Sequence, residues 1–210
     1  MKTLCACAAF AILFAGKTHD FEADAAGKTP EGFSTAQTGG GGAGSWIVRE
    51  EAGAPSGKKV LAQTSTDETS GRFPLCVLDS FSGKDVAVSV KFKPVSGKVD
   101  QAAGLVLRYK DADNYYIARA NALEDNVRLY KIEGGKRKQF AGVDAKVPAD
   151  RWHSLKLEVK GAHFKVSMDG AIIFEADDET FKEAGKAGMW TKADSVTLFD
   201  DFSVEAADGK

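Results

Sequence analysis

Hydrophobic and polar residues alternate with a period of two along most of the chain. Val86, Val88, Val90 and Phe92 are separated by Ala87, Ser89 and Lys91. Leu155, Leu157 and Val159 alternate with Lys156 and Glu158, and after Gly161 the pattern resumes at Phe164, Val166 and Met168. Such alternation predicts strands with one buried face. Asp169-Gly170 and Gly134-Gly135 are two-residue hairpin signals, because their backbones reach the positive φ that tight β-turns need. Strand-like runs recur from Asp20 to Val204, and Asp178 to Ala184 alone predicts a helical turn. Gly39 to Gly44 is a loop inside the domain, since strand-like sequence flanks it on both sides. With no linker and no internal repeat, the pattern predicts a single all-β domain, an antiparallel jelly-roll β-sandwich of about twelve strands.

The central hairpins allow a register to be worked out. If Asp111-Ala112-Asp113-Asn114 is a four-residue loop, Leu107 lies opposite Ala118 and Arg108 opposite Ile117. Leu105, Leu107, Tyr109, Tyr116, Ala118 and Ala120 then share the core face. If Ala122 to Asp125 is the next loop, Val127 and Leu129 join that face beside Ala120 and Ala118. The opposite face carries Arg108, Tyr115, Ile117, Arg119, Asn121, Asn126, Arg128 and Tyr130, and Gly134-Gly135 adds Arg137 and Gln139. Arg119 and Arg128 are cross-strand partners in this register. Two like charges so placed repel unless acids from neighbouring elements, water or an anionic ligand intervene. Arginine forks bind carboxylates and hydroxyls. Arg108, Tyr115, Arg119, Asn121, Asn126, Arg128 and Tyr130 are therefore candidate ligand-binding residues, with Glu124 and Asp125 at the rim as candidate catalytic acids.

Composition narrows the function classes. The 210 residues carry 28 Lys and Arg against 30 Asp and Glu, a net charge of -2, which argues against a nucleic-acid binder. Met1-Lys2 followed by the apolar run Leu4 to Ala15 has the form of an export signal and is too short to span a bilayer. The expectation is a signal peptide over 1–16 and one domain over 17–210, exported to the periplasm or outside the cell. Cleavage after Ala25 is the alternative, at the small-x-small sequence Ala23-Asp24-Ala25. Cys5 and Cys7 leave with the signal, so Cys76 is alone in the mature chain and reads as a small core residue within Phe73 to Leu78.

Near the C-terminus, Val196, Leu198, Phe202 and Val204 share one parity, and Asp200 falls among them. An inward carboxylate is costly unless paired, protonated or metal-bound. A structural calcium ion is one solution, with oxygen ligands from Asp200, Asp201 and, if the terminal strands adjoin, Asp20 or Glu22. A β-bulge between Phe199 and Asp201 is the other, since it would turn the carboxylate outward. No zinc motif, nucleophile elbow or phosphate loop is present in the sequence. His153 beside Trp152 reads as structural.

Ala103-Gly104-Leu105-Val106-Leu107-Arg108-Tyr109, Asp113-Asn114-Tyr115-Tyr116, Val127 to Lys131, Trp152-His153-Ser154-Leu155, Met168-Asp169-Gly170 and Phe199-Asp200-Asp201-Phe202 occur in that order. This succession resembles the concanavalin A-like, laminin-G-like domains of bacterial exported proteins, and is similar to the 3-keto-disaccharide hydrolase domain. The resemblance implies a lectin/glucanase-type sandwich and a late aspartate pair that joins first-strand residues around calcium. Laminarinase-type members carry Glu-x-Asp-x-x-Glu on one strand; here Glu22-Ala23-Asp24 is followed by Ala25-Ala26-Gly27, so that machinery is missing. The leading expectation is an exported domain that binds an oligosaccharide or polysaccharide on its Arg-Tyr-Asn face. The alternatives are a glycoside or keto-disaccharide hydrolase using the same groove, and a protein-interaction domain of the cell envelope.

Overall fold

A computed structural model describes residues 16–206. Two antiparallel sheets face each other. One runs in the order β13 (Ala171–Asp177), β12 (His163–Met168), β11 (His153–Lys160), β6 (Val86–Ser96), β15 (Val196–Ala206), β4 (Lys59–Gln63), β3 (Trp46–Glu50), and β1 (Lys17–His19) also pairs with β15. The other runs β10 (Lys136–Asp144), β9 (Asn126–Glu133), β8 (Asn114–Asn121), β7 (Ala102–Asp111), β14 (Lys186–Trp190), β5 (Phe73–Leu78), β2 (Phe33–Thr38). This is the predicted all-β jelly-roll sandwich. The first and last strands do adjoin, with Lys17 opposite Val204 and His19 opposite Phe202. No helix among the described residues is long and apolar enough to cross a membrane. The predicted export segment, Leu4 to Ala15, lies outside the described residues.

The alternating positions supply the core as the period-two pattern requires. Val88, Val90 and Phe92 of β6 and Leu155 and Leu157 of β11 meet Leu105, Leu107, Ala118, Ala120, Val127 and Leu129 from the facing sheet. Cys76 is fully buried in this core, and burial pushes its thiol far above the usual range. His153 is structural, with Nδ1 2.9 Å from Asp169 Oδ2 and Nε2 2.9 Å from the Pro148 carbonyl.

The register holds in one central hairpin and slips in the other. Asn121 pairs with Asn126, Ala120 with Val127 and Ala118 with Leu129, as expected. In the preceding hairpin, Asp111 pairs with Asn114 at the turn, but Leu107 pairs with Tyr116 rather than with Ala118. A bulge between Leu107 and Asp111 takes up the two-residue difference, and Arg108 sits in it with φ of 48°. Because the slip is even, Leu105 and Leu107 keep the core face. Tyr109, expected in the core, lies instead beside Tyr115 on the other face, ring centroids 5.7 Å apart.

Two further expectations are corrected. Asp178 to Ala184 forms no helical turn; it is irregular. The Tyr116 hydroxyl donates to Asp178 Oδ1 (2.6 Å) and accepts from the Phe181 amide (3.0 Å), pinning the segment as a loop. In β15 the register against β6 shifts between Asp200 and Ser203, and Asp201 takes φ of 49°. Phe199 and Phe202 both enter the core as a result, while Leu198 packs with Val60 and Ala62 in a separate cluster. The single parity read from Val196 to Val204 is thus broken by a bulge, which takes Asp200 off the core face.

Candidate functional site: a charged cup on the second sheet

Alternation along β8 and β9 sends Tyr115, Ile117, Tyr130 and Ile132 away from the sandwich core. There they form a second buried cluster with Phe73, Leu75, Val77, Val106 and Trp190. A sheet face can be buried this way only if the sheet curls. Phe73 on β5 and Arg137 on β10 have four strands between them, so a flat sheet would hold their backbones about 24 Å apart. Yet the Arg137 guanidinium lies 4.9 Å from the Phe73 ring centre. Likewise the Thr38 hydroxyl of β2 is 2.6 Å from the Tyr115 hydroxyl of β8. The face is a cup with an aromatic floor.

The polar groups of the cup form two linked sets. Arg119, 1% exposed, donates from Nη2 to Glu124 Oε2 at 2.8 Å and also to Asn126 Oδ1. Asn126 returns a bond from Nδ2 to Glu124 Oε2 at 3.0 Å. Burial raises the Glu124 carboxyl, but the Arg119 and Asn126 donors outweigh it and hold the group below its ordinary value. Asn121 accepts the amides of Leu123 (2.9 Å) and Glu124 (3.1 Å), which shapes the loop presenting Glu124. Its Nδ2 donates to Asp100 Oδ1 at 2.7 Å, and Lys192 Nζ bonds Asp100 Oδ2. Asp100 is fully buried; desolvation raises its carboxyl more than Lys192 lowers it. Tyr130 lies under two guanidiniums, Arg137 at 4.6 Å and Arg119 at 5.4 Å from its ring centre. Arg119 Nε and Arg137 Nη1 are buried without any hydrogen-bond partner. A buried donor left unpaired costs about 1–3 kcal/mol.

Of the predicted ligand-binding residues, the structure gathers Arg119, Asn121, Asn126 and Tyr130 here. It disperses the rest. Arg108 is buried elsewhere, donating to the carbonyls of Lys84 (2.9 Å), Gly161 (2.7 Å) and Phe181 (2.7 Å), because the bulge redirects its side chain. Tyr115 is sealed beneath the cup with its hydroxyl on Thr38, so it offers no open platform. Arg128 is directly opposite Arg119 as predicted, but bonds Asp144 Oδ1 at 2.5 Å. The like-charge pair is resolved by separate acids, Glu124 and Asp144. Of the two candidate catalytic acids, Glu124 is in the cup. Asp125 is a turn residue at φ 48°, accepting the Val147 amide at 3.1 Å and bonding Lys146 Nζ.

Asp100 carries no signal in the sequence, and whether Lys192 reaches this face is left open by it. Both lie in loops where alternation gives no guidance, although extending the parity of Trp190 by two residues would have placed Lys192 on this face.

Of the residues expected to hold calcium, Asp200, Asp201 and Glu22 meet the Ser56–Lys59 segment, but the set does not fit the ion as it stands. Asp200 Oδ2 accepts the Ser56 amide (2.9 Å) and Oδ1 the Asp201 amide (2.8 Å). Asp201 is bonded by Ser56 Oγ (2.6 Å) and Lys91 Nζ (2.8 Å). Glu22 Oε1 accepts the amides of Lys58 (2.8 Å) and Lys59 (2.5 Å), while Asp20 Oδ1 accepts the Glu22 amide at 3.2 Å. N–H donors and an ammonium thus occupy the lone pairs that a cation needs. Among the described residues no group of three metal-ligating side chains converges. Burial leaves the Asp200 carboxyl raised to about 6.

Two facing antiparallel sheets, one of them curled into a polar cup on its outer face, define a lectin-type jelly-roll β-sandwich. Residues 83–207, more than half of the chain, match the family described as galactocerebrosidase, C-terminal lectin domain, and the chain belongs to that family. It is 29% identical over 133 residues to a levanase of Bacillus subtilis (strain 168), a match covering 62% of this chain and 19% of the levanase. The chain therefore corresponds to about a fifth of that relative. Among solved structures, the carbohydrate-binding module CBM66 from Bacillus subtilis superposes with a TM-score of 0.65 at 24% identity, covering 87% of this chain and 99% of the module. A Bacillus subtilis protein of unknown function with a galectin-like fold gives a TM-score of 0.57 at 14% identity, covering 82% and 88%. These two similarities speak for the fold.

Proposed function

We propose that this protein is an exported glycan-binding domain whose binding site is the cup formed by Arg119, Asn121, Glu124, Asn126, Asp100, Lys192, Arg137 and Tyr130. The observation that carries the reading is the pair of buried, unpartnered guanidinium N–H groups above the Tyr130 ring. Sugar hydroxyls supply acceptors for the guanidiniums and donors for Glu124. The lectin-domain family and the likeness to a carbohydrate-binding module support the same reading. The apolar run after Met1-Lys2 supports export.

Hydrolysis in the same cup is the second reading. Asp100 and Glu124 share the site in unlike environments, one carboxyl raised by burial and one held low by donors, which is how acid and base roles are divided in glycoside hydrolysis. Native mass spectrometry with a broad oligosaccharide panel tests both readings. Intact adducts that vanish in Arg119→Met establish binding, and shortened sugars that require active protein establish hydrolysis. No adduct and no product from any sugar would sink both.

A further inference from the structure

The charges of the cup do not balance. Arg119 is paired with Glu124 and Lys192 with Asp100, while Arg137, the third cation, has no ion pair and no hydrogen bond to its side chain among the described residues. Its guanidinium is held between the rings of Phe73 (4.9 Å) and Tyr130 (4.6 Å), and Nη1 is shut off from water. Stacking of this kind satisfies the faces of a guanidinium and leaves its in-plane N–H edge for a ligand. Arg119 Nε is a second free donor beside the same tyrosine. Arg137 is only half-buried, so the rest of its guanidinium edge, with one uncompensated positive charge, is what a planar carboxylate meets with charge-assisted bonds. Desolvation lowers the affinity of Arg137 for its own proton, in keeping with a charge that lacks its counterion.

Resting on the reading of the cup as a glycan site, we propose that its ligand is a sugar bearing a carboxylate, a hexuronate unit, whose carboxyl group is bound by Arg137. The Glu124–Asn126 pair then meets the hydroxyls, and the extra acid neutralises the third cation.

Calorimetric titration with matched methyl glycosides tests this: galactoside against galacturonide, glucoside against glucuronide, mannoside against mannuronide. The expected result is at least one uronide bound about 10-fold or more tightly than its neutral partner, the size of one charge-assisted contact. Arg137→Gln should abolish that preference, bringing the uronide-to-neutral affinity ratio to about one in the same titrations. Arg137→Lys, which keeps the charge without the fork, should retain part of it, and thermal melts of both variants report folding. A neutral glycoside that binds with no uronide binding more tightly overturns the carboxylate assignment and leaves the glycan reading standing. A uronide preference that survives in a folded Arg137→Gln protein overturns the role of Arg137. Absence of binding by every member overturns both this proposal and the reading it rests on.

Discussion

Arg108 and Arg119 look equivalent in the sequence, two arginines on neighbouring strands of one polar sheet face, and replacing Arg108 separates their roles. The Arg108 side chain is buried and ties together three segments distant in sequence, through the carbonyls of Lys84, Gly161 and Phe181, with Asp85 Oδ1 3.6 Å away. Arg108→Met keeps the aliphatic stem and removes every donor. Each bond from a charged donor contributes about 1.5–3 kcal/mol, but the three carbonyls can recover some water once the cation is gone. The net loss expected for breaking such a buried charged network is about 3–5 kcal/mol. For a domain of this size, each kcal/mol moves the melting midpoint by about 2–4 °C, so a fall of roughly 6–20 °C is expected. Calorimetry or circular dichroism melts measure it, alongside glycan titration at a temperature where the variant remains folded. Arg108→Lys should fall between, since one ammonium cannot span three carbonyls as a planar fork does. A variant melting within about 2 °C of the parent would refute the reasoning, as would one that stays stable and loses sugar binding.

Arg119→Met should show the reverse, lost glycan binding with a smaller fall in melting temperature, because it releases only the exposed Glu124 and the Asn126 amide; a large fall without loss of binding would count against the cup. Burial raises the Asp178 carboxyl, but Lys131, Tyr116 and Thr180 outweigh it and hold it at about 2. A depressed carboxyl stabilises the folded state above its unfolded pKa and loses that contribution as pH falls through the folded value. Melts between pH 5 and pH 2 should therefore show about 1–2 kcal/mol of loss, after allowance for solvent screening, that is missing in Asp178→Asn. Since amides and Lys91 already occupy Asp200, Asp201 and Glu22, exchanging calcium for a chelator should leave the melting midpoint unchanged within about 2 °C; a larger calcium-dependent rise would show that the loop rearranges around the ion.

Much of the fold follows from local pattern alone. Period-two runs, the Asp169-Gly170 and Gly134-Gly135 turns and the even spacing of strands need only near neighbours, so the sandwich, its hairpins and most of its core are readable from the chain. The hairpin joining β8 and β9 is correct in register for the same reason. Bulges are where that reasoning ends: one between Leu107 and Asp111 and one after Asp200 cost little locally, and are chosen by packing against distant segments. The first took Arg108 off the face that forms the cup; the second broke the parity that made Asp200 an inward residue. The site itself was half legible. Arg119, Asn121, Asn126 and Tyr130 lie on regular strands and follow alternation. Asp100 and Lys192 come from loops, and Arg137 meets Phe73 only because the second sheet curls through four intervening strands. Sheet curvature is a sum of twists over the whole sheet, so the cup that brings these charges together exists only in the tertiary structure.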